Sequence, residues 1–185
     1  MTEEQINRSI ETKELKMGRW RMFSHYSISI LFLFMAAAML FYFLNDILTG
    51  RDPKVGKTWP ALVLFMVVPF ILGIVYIRIQ RKKLRFYTVT TTQTREQLKK
   101  IIRSLAKEQN WQVSFSNEKA IELKSSPGFW SGSWGEQITI LFDKETVLVN
   151  SICDPDKRSS VTSYGRNKKN IALIVEEIEK ASLLD

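Results

Sequence analysis

One histidine and one cysteine in 185 residues bound the chemistry these side chains could perform. Cys/His zinc sites and CxxC redox pairs need more ligands than that. His25 stands at the mouth of a long apolar run, far in sequence from any Ser or Cys partner, and is read as an interfacial residue. Cys153 follows a predicted strand, and no nearby histidine could take its proton, so it is read as a small buried residue rather than a nucleophile. Asp143, Asp154 and Asp156 are the closest acidic set. Asp154-Pro155-Asp156 is turn chemistry, and a divalent-cation site would ask for more oxygen ligands. Neither a P-loop nor a GxGxxG run occurs. The expectation is a protein that is not an enzyme and takes no cofactor or metal.

Binding chemistry has better candidates. Arg166, Lys168 and Lys169 crowd the start of a predicted last helix, while Glu176, Glu177 and Glu179 lie toward its end. This opposes the macrodipole. Backbone N–H groups, dipole and three cations together suit an anion such as a phosphate or lipid headgroup, with Asn167 as the N-cap. The plain alternative is that these cations face solvent or pair with Asp154 and Asp156. A second set comprises Arg81, Lys82 and Lys83, then Lys99, Arg103 and Lys107 at every fourth residue. Residues 78–110 hold ten Lys and Arg against two Glu, equivalent to the net +8 of the whole chain. Near an anionic leaflet each such cation is worth roughly 1 kcal/mol; the alternative is a solvated helix face. A nucleic-acid partner also needs a basic surface, but a membrane accounts for this charge, so none is expected. A third set, Phe129, Trp130 and Trp134, stands among glycines and serines. Such aromatics anchor partner contacts, dip into a membrane interface, or fold back over a sheet.

The elements that must carry these residues begin with two blocks, 22–45 and 58–77, free of Asp, Glu, Lys and Arg. About 20 apolar residues cross a bilayer as a helix. About a dozen residues join the blocks, which predicts a two-helix transmembrane hairpin. Arg8, Lys13, Lys16, Arg19 and Arg21 precede it, Arg78, Arg81, Lys82, Lys83 and Arg85 follow it, and only Arg51, Lys54 and Lys57 lie in the loop. The positive-inside rule puts both termini in the cytoplasm. The expected organisation is an N-terminal cytoplasmic segment 1–22, helices over 23–48 and 58–80, an external loop 49–57, and a cytoplasmic domain 81–185, all in a multi-pass protein of the cytoplasmic (inner) membrane. The first block is too long for a signal peptide's apolar core. Ala36-Ala37-Ala38 would let the two helices approach closely, and Trp59 and Tyr76 fall where interfacial aromatics are expected.

In the remaining chain, Arg85 to Thr92 reads as a strand. Thr94-x-x-Gln97 is a capping box, opening a helix with Leu98, Ile101, Ile102, Leu105 and Ala106 on its apolar face. WQVSF predicts a strand with Trp111, Val113 and Phe115 on one side. Asn117-Glu118 turns into AIELK. QITILFD and TVLVNSI follow, joined at Lys144-Glu145, with a further short strand conceivable at Val161 to Tyr164. Ile171, Ile174, Val175 and Ile178 mark a closing helix. The order βαββββα with short turns predicts an antiparallel sheet with both helices on one face, a two-layer α+β domain. A PH-like fold fits less well, because its helix comes late in the chain.

WGEQITI, VNS-x-x-DP and YGRNKKNI, within residues 86–185, resemble uncharacterised bacterial domains in membrane-anchored proteins. The resemblance implies the fold and the membrane setting but no activity. The function expected is an accessory or scaffold subunit of a membrane complex, with membrane lipids and either a membrane-protein partner or self-association. The alternative is an anchored sensor of anionic lipid or a phosphate ligand.

Overall fold

A computed structural model describes residues 1–50, 59–126, 134–157 and 165–183. They fall into two compact units, one of His25–Arg81 and one combining Met1–Ser24 with Lys82–Asp185.

The larger unit is mixed α+β. Its elements are α1 (Glu3–Thr12), the first turn and a half of α2 (Arg19–Leu48), the end of α4 (Val68–Lys83), β1 (Tyr87–Thr90), α5 (Arg95–Glu108), β2 (Gln112–Ser116), β3 (Ala120–Lys124), β4 (Glu136–Asp143), β5 (Thr146–Cys153) and α6 (Arg166–Leu183). The five strands form one antiparallel sheet in the order β1-β5-β4-β3-β2. Local chemistry accounts for several boundaries. Thr94 and Gln97 cap α5 reciprocally. Asn117 accepts the N–H groups of Lys119 and Ala120 with its side chain, closing the β2–β3 turn. Lys144 takes a left-handed conformation in the two-residue β4–β5 turn. On one sheet face Leu98, Ile102, Leu105 and Ala106 of α5 and Ile174 and Ile178 of α6 bury Ile138, Ile140, Phe142, Val147 and Val149.

The opposite face departs from the two-layer expectation. Ala120, Leu141 and Leu148 are buried there by Ile6 of α1, with Met1, Ile10, Phe86 and Phe115 around them. Residues 1–22 are therefore not a separate segment; they supply a third layer to the α+β unit. The physical reason is that both faces of β3, β4 and β5 carry apolar side chains, and an uncovered face would leave them in water. An antiparallel bridge continues this layer, with Leu15 N–H to Leu84 O at 2.8 Å and Phe86 N–H to Lys13 O at 3.0 Å. Asn150 locks the returning chain by donating to Lys83 O at 2.8 Å and Arg85 O at 2.9 Å.

β2 also departs from simple alternation. Its register slips between Val113 and Phe115. Trp111 consequently packs on the helix-covered face, Phe115 on the opposite one, and Val113 is half exposed. Ser114 sits at the slip and donates to Glu122 O at 3.1 Å and Oε1 at 3.0 Å. A bulge of this kind inserts a residue and reverses the facing of those beyond it.

The second unit holds most of α2, α3 (Trp59–Leu62), a π-helical turn Val63–Val67, and α4 up to Arg81. α2 and the stretch Leu64–Lys83 are each long and apolar enough to cross a membrane. The π turn precedes Pro69, which has no N–H to offer the carbonyl four residues back. Gly73 lies against Leu33 so closely that a Cβ would come 2.7 Å from Leu33 Cδ2. Phe32 and Tyr76 stack at 5.6 Å. His25 is buried between the two helices, with Nε2 3.1 Å from Gln80 O. Gln80 donates to His25 O at 2.6 Å and accepts from Ser29 Oγ. A polar clasp inside an apolar helix pair satisfies groups that lipid could not.

Candidate functional site

A polar cleft of about 410 Å³ opens on the helix-covered side of the sheet, between the end of α5, the β3 and β4 ends, and the first turns of α6. α5 delivers its wall through a helix-terminating motif. Asn110 is left-handed (φ 54°), its N–H reaches Lys107 O at 3.3 Å, and Trp111 N–H reaches back to Ala106 O at 2.7 Å. That reversal brings Gln109, Asn110 and Trp111 to the cleft. Ser125 and Ser126 come from the end of β3, and Glu136 from the start of β4. Gly135 sets Glu136 in place: its φ is +126°, and a Cβ there would stand 2.7 Å from Ser125 O. Glu136 is 1% exposed; its carboxylate accepts from Ser125 Oγ, which in turn accepts Glu136 N–H at 3.1 Å.

α6 supplies the fourth wall with Arg166, Lys169, Asn170 and Leu173. Gly165 (φ 82°) precedes the helix, and Lys169 N–H closes the first turn on Gly165 O at 3.0 Å. Asn167 is therefore not the N-cap; it is inside the helix and buried. The sheet explains this, because Ser151 Oγ donates to Asn167 Oδ1 at 3.1 Å and accepts from Asn170 Nδ2 at 3.3 Å. Those bonds pin α6 so that Arg166 and Lys169, one turn apart, both line the cleft. Chemically the arrangement offers two cations and the positive end of an 18-residue helix, beside hydroxyl and amide hydrogen-bonding groups and over a buried carboxylate.

The remaining sequence candidates divide. Lys168 lies on a different side of α6, in a groove with Tyr87. Lys99 is partly buried and pairs with Glu96 at 3.5 Å, so the stripe on α5 has Arg103 and Lys107 as its exposed members. Lys82 and Arg81 are exposed, and Lys83 is half buried. Trp134 is 53% exposed, while Phe129, Trp130 and the stretches 51–58 and 161–164 lie outside the described residues. Exposed Trp20 and Phe23, stacked at 5.6 Å, form an aromatic pair that the sequence did not single out.

Asp154 and Asp156 do not pair with α6. A network on the other sheet face takes them. Arg21 Nε donates to Asp156 Oδ1 at 2.8 Å and Arg21 Nη1 to Glu122 Oε2 at 3.3 Å. Lys124 Nζ lies 2.6 Å from Asp156 Oδ2 and 3.3 Å from Asp154 Oδ1. Asp154 Oδ1 also accepts Asp156 N–H, the turn chemistry the DPD run predicts. Asp143 stands at the far end of the β4–β5 hairpin. Burial pushes the Asp156 carboxyl up, but the bonds from Arg21 and Lys124 outweigh it and hold the group below the usual carboxylate range. A depressed folded value means the associated stability is present above the unfolded pKa and lost as pH falls through the folded one. Acid unfolding, followed by tryptophan fluorescence in detergent, should therefore steepen below about pH 4, and Asp156→Asn should flatten that limb.

No protein-family model and no curated protein sequence matches the chain.

Proposed function

We propose that this chain is a non-catalytic membrane protein: a two-helix hairpin with both termini in the cytoplasm, carrying a cytoplasmic α+β domain that binds a small anionic group. The convergence of Arg166 and Lys169 on the polar cleft carries this reading. Two helices long and apolar enough to span a membrane support anchoring, and the exposed Trp20–Phe23 pair suits a headgroup interface. The cytoplasmic side follows from the Lys and Arg flanks. The shared ligand chemistry is a phosphate-like anion, whether free or on a lipid.

A second reading, an accessory or scaffold subunit, is favoured by one observation. A groove of about 330 Å³ on the helix pair is lined by Leu33, Ala36, Ala37, Leu40, Met66, Val67 and Phe70, with Ala37 exposed in it.

The test uses full-length protein in neutral detergent, titrated calorimetrically with pyrophosphate, and separately nanodisc-embedded protein with and without phosphatidic acid. Arg166→Glu with Lys169→Glu should weaken pyrophosphate binding by about tenfold or more. Binding to neither probe, or binding that the double variant leaves unchanged, would remove the cleft reading. Binding only in phosphatidic-acid discs would assign the anion to lipid.

A further inference from the structure

α6 presents a second surface that the cleft does not use. Tyr87 of β1 and Lys168, Ile171, Ala172, Val175 and Glu179 of α6 border a groove of about 520 Å³. β1 is the outermost strand of the sheet, and among the described residues no strand pairs with its outer edge. Tyr87 is 53% exposed, Ala172 is exposed, and Ile171 and Val175 are half buried. An unpaired edge beside a partly apolar helix stripe is a surface that another chain can extend.

We infer that this surface joins two copies of the chain about a twofold axis. The charge order along α6 singles out a second copy as the occupant. In an isologous contact each residue meets its counterpart reciprocally. Residues 168, 172, 175 and 179 lie along one helical stripe, spaced by four, three and four. A second α6 running antiparallel, with the axis between residues 173 and 174, sets Lys168 against Glu179 of the other copy at both ends of the contact. The same register sets Ala172 against Val175 of the other copy, and the small alanine allows the helices to approach closely. Among the described residues neither Lys168 nor Glu179 forms an ion pair, whereas neighbouring Glu176 is held by Lys180 at 2.9 Å. Antiparallel apposition of β1 with its own copy satisfies the outer N–H and C=O groups of that edge. A foreign strand could add to β1, but it would have no call on the spacing of Lys168 and Glu179.

This inference does not rest on anion binding, because Lys168 and Glu179 lie outside the cleft. The test is the mass of full-length protein in neutral detergent, by light scattering and sedimentation over a concentration series. The wild type should dimerise. Lys168→Glu and Glu179→Lys should each raise the dimer dissociation constant by about tenfold or more, and the double swap should restore it. Ala172→Arg, on the surface between them, should also give monomer. A wild type that is monomeric at every concentration would overturn the inference. So would a dimer indifferent to these changes, or one that both single swaps weaken and the double swap fails to rescue.

Discussion

Lys124→Met should destabilise the α+β unit by about 3–5 kcal/mol, the usual consequence of stranding a buried partner. The asymmetry of the pair sets this magnitude. Lys124 keeps 22% of its side chain in solvent, but the Asp154 side chain keeps 1%. Among the described residues Asp154 Oδ2 has no hydrogen-bond partner, and Lys124 Nζ and the Asp156 N–H compensate this carboxylate. Methionine retains most of the stem's apolar packing, which isolates the loss of charge. Asp156 would also lose a donor at 2.6 Å and, among the described residues, keep Arg21 as its side-chain donor. Chemical denaturation of the full-length protein in detergent, followed by tryptophan fluorescence, checks this. A change under 1 kcal/mol would mean that water reaches Asp154 and solvates it.

Gly135→Ala should have the second-largest effect, and on a different part of the molecule. A backbone φ of +126° costs a residue with a Cβ about 1–3 kcal/mol by itself. The new methyl would also meet Ser125 O at 2.7 Å, and that is a main-chain atom between paired strand ends, not a side chain able to swing aside. Ser125 N–H bonds to Glu136 O at 2.9 Å, and Asp154 N–H to Gly135 O at 2.9 Å, so both neighbouring strands would have to shift. Because Glu136 and Ser125 form the cleft floor, anion binding should fall together with stability. A conservative Gly135→Asn exchange, which tolerates positive φ better than alanine but still carries a Cβ, should not rescue either property. Full stability in Gly135→Ala would show that the strand ends yield easily.

Much of the fold was legible because local chemistry and periodicity agreed. The Thr94–Gln97 box, the i, i+3, i+4 stripe on α5, the Asn117 and Lys144 turns and the two charge-free blocks each point to one structure. What escaped depends on contacts distant in sequence. Ile6 and Ile10 lie in a helix whose other residues are mostly polar, so nothing local announces that they cover Leu141 and Leu148. The bulge at Ser114 needs the Glu122 partner on the next strand. Asn167 resembles a cap until Ser151, sixteen residues earlier, claims its side chain. His25, Ser29 and Gln80 are unremarkable separately and become a clasp only when two helices pack.

The candidate site was half legible for the same reason. Arg166 and Lys169 stand out by charge at a helix start. Glu136 gives no signal, since a polar residue at a strand end is ordinary; only Gly135 beside it hints at a tight approach. Lys168 shares the tetrapeptide Arg166–Lys169 with the cleft cations but points elsewhere, because adjacent helical residues are about 100° apart. Asp154 and Asp156 lie close to Arg166 in sequence, yet the sheet separates them: they serve Lys124 and Arg21 on the opposite face.

The central claim, that the cleft at the start of α6 receives an anion, is tested most directly by hydrogen–deuterium exchange on the full-length protein with and without saturating pyrophosphate. The account predicts slower exchange in peptides covering residues 109–111, 125–126, 135–137 and 165–170, with no change in Arg166→Glu/Lys169→Glu. Protection confined to 81–85 and 99–107 would move the anion to the basic stretch after α4 and contradict the cleft as its site.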